Sequence, residues 1–266
     1  TDVYVMSAYD GRVLRRVIRG ERGVHFESIP SFRSALTWSP DGRRLALTVK
    51  SGGRDALVVV AAADGRVLRR LRLDCDALAF PAWSPVTDSV VVTGLKDGRS
   101  DLWLVDTGTG AAERLTDDAW DEKEACWSPD GRTVTFASDR LAPVVLRPER
   151  DPGGFGRYGL YDLDLAQRRV RERVVGAGDV HAPAWSPDGR KLAYLSDRGG
   201  ASDILLLDTA DGSVTQLTEV LGGISSLSWS RQDDRLVFSA FHRGGYDVFA
   251  VREPVGVDAV LARLRR

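Results

Sequence analysis

The chain has 266 residues, of which 43% are hydrophobic and 28% charged, and its formal net charge is −1 at pH 7. A net charge this close to zero gives no electrostatic reason to expect nucleic acid or an anionic membrane surface as a partner. No apolar run approaches the roughly 20 residues that span a bilayer. The opening stretch TDVYVMSAYDGR also lacks the basic start and apolar core of a secretory signal. We therefore predict no nucleic-acid binding, no membrane insertion and no signal peptide within this chain.

Five tryptophans mark a repeat, at positions 38, 83, 127, 185 and 229, with spacings of 45, 44, 58 and 44 residues. After the Trp comes Ser-Pro-Asp-Gly or a variant of it, which is typical of a tight turn. Two short apolar runs follow, separated by a glycine-bearing turn, and then a more polar run that often ends in Leu-Thr. With the segment before the Trp, this makes four strands per repeat of roughly 44 residues, which is typical of a β-propeller blade. We predict an all-β propeller built from four-stranded antiparallel blades.

In chain order, residues 1–20 align with only the third and fourth strands of the unit and are predicted to form a half-blade. The half-blade either begins a sixth, incomplete blade or packs against the last blade. We expect six blade positions in a single domain spanning 1–266, because a closed ring leaves no open sheet edge. The five Trp-bearing blades are predicted at 33–72, 78–117, 122–176, 180–219 and 224–264.

The repeats differ from one another at three longer segments. The passage before the first repeat has about ten surplus residues, which include His25, Phe26 and Phe32. Residues 141–156 are an insertion of about 14 residues between two strands of the third repeat, a surface loop that is either functional or disordered. The tail after Val251 is either an outer strand or a short helix.

The segments just before the tryptophans differ in charge. They form the inner strand of each predicted blade, whose alternate side chains face the central channel or its mouth. Their polar residues are either a solvated channel lining with paired charges or a binding funnel for a peptide or small ligand. The candidate binding residues are Arg33, Glu122, Lys123, Glu124 and His181.

The shared positions of the repeat are explained by structure. The Asp that opens the third strand (positions 2, 55, 101, 203 and 247) is expected to bind backbone N–H groups of the preceding turn. The repeat tryptophans are expected in the core between blades. No G-x-S-x-G or H-E-x-x-H motif is present, and Cys75 and Cys126 lack metal-type spacing. We predict no enzymatic activity, no metal and no cofactor.

The stretch AWSPDGRKLAYLSDRGGASDILLLDTADGSVTQLT, Ala184 to Thr218, resembles the repeat of TolB-type β-propellers, and the resemblance extends to about Val251. It implies a monomeric, non-catalytic, periplasmic or extracellular module that binds a protein or peptide near its channel mouth. TolB itself engages a peptidoglycan-associated lipoprotein. Similar propellers are accessory domains of larger secreted or membrane-associated peptidases, and a few relatives act on carbohydrates, so both remain alternatives. The family's shared residues are structural and assign no binding residue.

Overall fold

The computed structural model describes residues 2–19, 27–29, 36–140, 157–176 and 178–254, and these residues are all-β. They contain no α-helix, so none of them forms a helix long and apolar enough to cross a membrane. The chain divides into two compact units, Thr1–Ala125 and Cys126–Arg266. The boundary falls inside the strand Glu122–Trp127.

The first unit contains an N-terminal hairpin (β1–β2), blade 1 (β3–β6), blade 2 (β7–β10) and the start of β11. Consecutive strands pair antiparallel, so each blade is a meander. The strands are β1 Val3–Met6, β2 Val13–Ile18, β3 Leu36–Trp38, β4 Arg44–Ser51, β5 Arg54–Ala61, β6 Val67–Leu71, β7 Ala77–Trp83, β8 Ser89–Lys96, β9 Arg99–Asp106, β10 Ala112–Arg114 and β11 Glu122–Trp127.

The second unit contains most of blade 3 (β11–β14), blade 4 (β15–β18) and blade 5 (β19–β21). Blade 5 has three strands within the described residues, where blades 1 to 4 have four. The strands are β12 Thr133–Ser138, β13 Gly159–Asp164, β14 Arg169–Val174, β15 Val180–Trp185, β16 Lys191–Ser196, β17 Asp203–Asp208, β18 Val214–Gln216, β19 Ile224–Trp229, β20 Arg235–His242 and β21 Gly245–Arg252.

The Ser-Pro-Asp-Gly turn joins the first two strands by a set of local hydrogen bonds. In blade 4, the Ser186 hydroxyl donates to Asp188 Oδ1 (2.7 Å) and accepts from the backbone N–H of Lys191 (2.9 Å). Asp188 also accepts from the N–H of Arg190 (3.0 Å), and Gly189 adopts a φ of 72° that an L side chain rarely takes. The same bonds occur around Ser39 in blade 1 and Ser128 in blade 3. The repeated motif is therefore a turn, as predicted.

Within each unit, neighbouring sheets bury apolar faces against one another. Trp83 of blade 2 packs with Leu57 and Val59 of blade 1. Trp229 of blade 5 packs in the same way with Ile204 and Leu206 of blade 4. The core thus consists of layers between blades, as in a propeller.

The expectation of six blade positions is wrong, since the described strands form five blades and a separate two-stranded sheet. The hairpin neither starts a sixth four-stranded blade nor belongs to the sheet of the last blade. Its residues Val3 and Val17 are buried in one cluster with Leu45 and Val58 of blade 1. The hairpin therefore packs on the sheet of blade 1.

The repeat tryptophans are not equally buried. Trp83 is 0% exposed, whereas Trp38, in the first repeat, is 40% exposed. The expectation of a buried Trp at every repeat is therefore wrong for Trp38. Within the described residues, the sheet that packs on blade 1 from the N-terminal side has two strands where a blade has four.

The third-strand carboxylates have different partners from the predicted ones. Asp55 Oδ2 accepts a hydrogen bond from the N–H of Leu78 (3.0 Å), in the first strand of blade 2. Asp203 Oδ1 accepts from the N–H of Val220 (2.9 Å), in the segment leading to blade 5. These carboxylates hold the following connection in place, not the preceding turn. Their role is structural, but the predicted donor was wrong.

Replacing Trp83 with Ala is expected to lower the free energy of unfolding by about 3–5 kcal/mol, because a fully buried indole between two sheets is lost. Trp38→Ala is the matched control and is expected to cost about 1–2 kcal/mol, because its indole is already partly in water. Urea denaturation followed by circular dichroism measures both. Equal losses for the two variants would contradict the assignment of the core.

Candidate binding site on the inner strands

A β-bulge lies in the first strand of several blades, three residues before the repeat Trp. The strand registers shift between Ala79 and Ala82 in β7 and between His181 and Ala184 in β15. Phe80, Glu124 and Ala182 occupy equivalent positions and all have φ near +50°. This conformation is uncommon for residues other than glycine, and bulges re-aim the neighbouring side chains. These bulges have no sequence signal, because the residue types at the three positions differ.

Glu122 lies five residues before Trp127, where other blades have the buried apolar residues Leu78, Val180 and Ile224. It is 0% exposed. Thr116 Oγ1 donates a hydrogen bond to Glu122 Oε2 and accepts one from the N–H of Leu102 (2.9 Å). In blade 4, the equivalent Thr218 donates instead to Asp203 (3.0 Å). In blade 4 this threonine donates to the third-strand Asp, whereas Thr116 donates to Glu122.

Asp101, the third-strand Asp of blade 2, is 1% exposed and pairs with Arg114 Nη2. Arg114 Nη1 also pairs with Asp117 Oδ1 (2.9 Å). Asp101 Oδ1 and Arg114 Nε are buried and have no hydrogen-bond partner among the described residues. Burial raises the pKa of Asp101, Arg114 opposes the rise, and the nearby Asp117 and Asp118 add to it. Asp101 is thus a buried carboxylate whose charge is countered by Arg114.

Lys123 and Glu124 follow Glu122 in β11, and both are partly buried. Three of the five predicted residues, Glu122, Lys123 and Glu124, are therefore consecutive in one strand. His181 lies in β15 of the second unit, opposite Leu195 in register, and is also partly buried. Arg33 lies outside the described residues, as do the 141–156 insertion and the tail from residue 255.

A polar network in blade 3 was missed by the sequence analysis. Thr135 and Asp162 are direct cross-strand partners, and Thr135 Oγ1 donates to Asp162 Oδ1 (2.6 Å). Arg173 binds the same carboxylate through Nε (2.7 Å) and Nη2. Trp185 of blade 4 donates its indole N–H to Thr135 Oγ1 (3.0 Å) and lies under the Arg173 guanidinium, 5.6 Å from its ring centre. The network links blades 3 and 4 through the repeat Trp.

A signal for this network exists in the sequence. The position of Asp162 is apolar in the other four-stranded blades, where it holds Val59, Leu104 or Leu206. A single carboxylate inside the apolar run GLYDLD predicts a buried partner. The matching cation, Arg173, lies in a charged outer strand where nothing distinguishes it from its neighbours.

Cys126, the residue before the repeat Trp127, forms a contact between blades 3 and 4. Its sulfur accepts a hydrogen bond from the backbone of Trp185, and burial raises the pKa of its thiol. Thr37, at the same position in blade 1, accepts from the N–H of Trp83 (3.1 Å). Cys75 is also a free thiol, and burial raises its pKa to about 11. We therefore assign both cysteines a structural role.

Within the part of the chain that the structure describes, no group of three or more His, Cys, Asp or Glu side chains is placed to hold a metal ion. Glu122 in β11 is bound by Thr116, Asp101 in β9 is bound by Arg114, and both carboxylates are buried.

Blades of antiparallel strands that bury their faces against one another define this chain as a β-propeller. A putative TolB from Agrobacterium tumefaciens superimposes with a TM-score of 0.67, at 20% identity, over 91% of this chain and 84% of that chain. TolB from Acinetobacter baumannii gives a TM-score of 0.61, at 22% identity, over 83% and 52%. At these identities the structures support the fold alone.

The sequence relatives point to the same class, although no protein-family model matches the chain. An uncharacterized protein of Agrobacterium fabrum is 25% identical over 212 residues, which is 75% of this chain and 67% of the relative. A TolB homologue of Chlorobium chlorochromatii is 33% identical over 121 residues, 44% of this chain. The match spans only 27% of that homologue's length. Together with the structures, these relatives confirm the resemblance to TolB-type β-propellers.

A shorter similarity concerns a different kind of protein. The uncharacterized peptidase YuxL of Bacillus subtilis is 39% identical over 56 residues, 21% of this chain and 8% of the peptidase.

Arg173→Ala is expected to lower the free energy of unfolding by about 2–3 kcal/mol, because it leaves the Asp162 carboxylate without its cation. Replacing Asp162 and Arg173 together with Leu is expected to restore most of the loss, because the apolar residues of the other blades pack there. Arg190→Ala is the control, since its ion pair with Asp188 is exposed, and should cost less than about 0.5 kcal/mol. A double variant less stable than Arg173→Ala would contradict this account.

Proposed function

We propose that the chain is a non-catalytic protein- or peptide-binding propeller module, with its contact surface at the channel mouth and on the long loops. One observation carries the proposal. The positions that the blades share are occupied by turn, core and inter-blade contacts. Glu122, Lys123 and Glu124 in β11 are charged residues that the described first strands of the other blades lack.

The candidate residues take different roles in this proposal. Lys123, Glu124 and His181 are partly exposed and would contact the partner. Glu122 is fully buried and would act by positioning, through Thr116 and through the backbone of β11. Arg33 is retained as a contact on the basis of its sequence position alone.

The similarity to TolB supports a protein or peptide as the partner and a periplasmic or extracellular location, with the chain acting as a monomer. The net charge of −1 supports neither nucleic acid nor an anionic membrane surface as the ligand.

Site-specific photocrosslinking tests the contact surface. A photoreactive residue at position 123 or 181 is expected to crosslink to the partner in extracts of the source organism. The same residue at position 171, on the exposed outer strand β14, is the control and should give no specific product. Equal crosslinking at all three positions, or crosslinking at position 171 alone, would contradict the proposed surface.

Side-chain truncation gives the affinity side of this test. Lys123→Ala is expected to weaken partner binding about tenfold, because it removes a partly exposed side chain from the proposed surface. Isothermal titration with the partner identified by crosslinking measures the change, and Arg171→Ala serves as the control. Turnover of a peptide or glycan by the purified chain would contradict the non-catalytic assignment.

The accessory domain of a larger peptidase is a second candidate, favoured by the 56-residue similarity to YuxL. It predicts that the natural polypeptide carries a peptidase sequence in addition to these 266 residues. Mass measurement and peptide mapping of the protein purified from its source distinguish the two candidates.

A further inference from the structure

The third strand of blade 5, β21, has one side on which no described strand pairs. It pairs with β20 in an uninterrupted register of eight residue pairs. In blades 1 to 4 the other side of the third strand carries a fourth strand. β21 contains no proline and no bulge, and its only charged residues are one Asp and one Arg. A long, regular edge of this kind pairs readily with another strand. We therefore expect a strand to cover this edge.

The chain leaves the third strand with a hydrogen bond that all five blades share. In blade 5, the N–H of Glu253 donates to the carbonyl of Asp234 (2.6 Å), which directly precedes the second strand. The equivalent bonds in the other blades measure 2.8–3.1 Å, and their donors are Ala62, Thr107, Leu165 and Thr209. Positions after the third strand can therefore be counted from the same point in every blade.

The fourth position after the third strand has a positive φ in blades 1 to 4. Its residues and φ values are Gly65 (74°), Gly110 (81°), Arg168 (53°) and Gly212 (75°). Glycine dominates because a residue with a Cβ rarely adopts this conformation. In blade 5 the same position is Gly256. The sequence after β21 thus keeps the residue that the turn into a fourth strand requires.

The ninth position is a leucine in the blades that can be compared. It is Leu115 in blade 2 and Leu217 in blade 4, and both are buried. The N–H group of each donates to a carbonyl of its third strand at 2.8 Å. Blades 1 and 3 have a bulge between these two strands and give no such comparison. In blade 5 the ninth position is Leu261, and the equivalent acceptor is the carbonyl of Val248.

We propose that residues 258–261 of this chain form the fourth strand of blade 5 and pair antiparallel with β21. The tail from residue 255 lies outside the described residues, so the proposal rests on the edge of β21 and on the three equivalences with the other blades. It goes beyond the proposed function and does not depend on it. Its consequence is that the edge of β21 is occupied by the chain itself and is closed to strands of other proteins.

The register of blade 4 decides which N–H groups of the new strand point at β21. In an antiparallel pair, hydrogen-bonded and non-hydrogen-bonded residues alternate. In blade 4, Leu217 donates to the third strand, so the N–H of its neighbour Gln216 points away. By the same count, the N–H groups of Ala259 and Leu261 point at β21, whereas that of Val260 points away.

Two proline substitutions in the whole chain test this register. Ala259→Pro removes an N–H that bonds to β21, whereas the control Val260→Pro removes one that points away, where an edge strand tolerates proline. Amide hydrogen exchange is measured by NMR at Ala250 and Arg252, whose N–H groups face the proposed strand, with Phe249, which faces β20, as the reference. We expect protected amides in the unsubstituted chain, exchange at least about tenfold faster in Ala259→Pro, and little change in Val260→Pro.

A second pair of variants tests the turn. Gly256→Ala places a Cβ on a residue of positive φ and is expected to speed exchange at Ala250 several-fold. Gly256→Asn is expected to have a smaller effect, because asparagine adopts this conformation more readily than alanine.

Unprotected amides at Ala250 and Arg252 in the unsubstituted chain would overturn the inference. So would equal effects of the two prolines, which would fit a helix formed by the tail. Protection that appears only at high protein concentration would assign the edge to a second copy of the chain and would also overturn it. If Ala259→Pro does not fold, the two Gly256 variants decide the matter, and equal effects of those two would contradict the proposed turn.

Discussion

A blade of four strands has two apolar faces and cannot bury either of them within itself. Within each unit, a blade therefore covers its neighbour, as Trp83 covers blade 1 and Trp229 covers blade 4. Hydrogen bonds, which are directional, also cross these layers. The N–H of Trp83 donates to Thr37, and the backbone of Trp185 donates to Cys126 at the equivalent position. The need to cover a sheet with another sheet explains why the Trp and the turn after it recur.

The same constraint decides how much of the fold is predictable from sequence. Strands and turns are local, and the Ser-Pro-Asp-Gly turn and the apolar runs predicted them because backbone geometry limits which residues fit. The number of blades, in contrast, depends on how segments that are distant in the chain pack together. The residues of the N-terminal hairpin read as half of a blade, but only the packing of Val3 and Val17 on blade 1 shows that the hairpin covers an existing sheet.

The candidate site was predictable only in part. Charges at Glu122 to Glu124 and at His181 differ visibly from the other repeats, whereas the bulges that orient them have no residue signature. The exposure of Glu122 could not be predicted either. A carboxylate in an inner strand suggests a channel lining, but Thr116, in the segment that follows β10, gives it a buried partner. The fold decides which side chain becomes the partner, and the periodicity of the sequence carries no information about this.

Buried charge occurs in two blades, and its pairing is more complete in one blade than in the other. The Asp162–Arg173 pair has its partners within blades 3 and 4, and stability is the property that it affects. Asp101 in blade 2 is bound less completely, because it pairs with Arg114 but its Oδ1 has no hydrogen-bond partner among the described residues. Keeping such an atom buried costs stability.

Hydrogen–deuterium exchange of the chain with and without its partner protein tests the central claim, that binding uses the residues in which the blades differ. The account predicts slower exchange in residues 117–124 and 179–183 on binding, with no change in the outer strands β6 and β14. Slower exchange in those outer strands, or a uniform change across all blades, would contradict it.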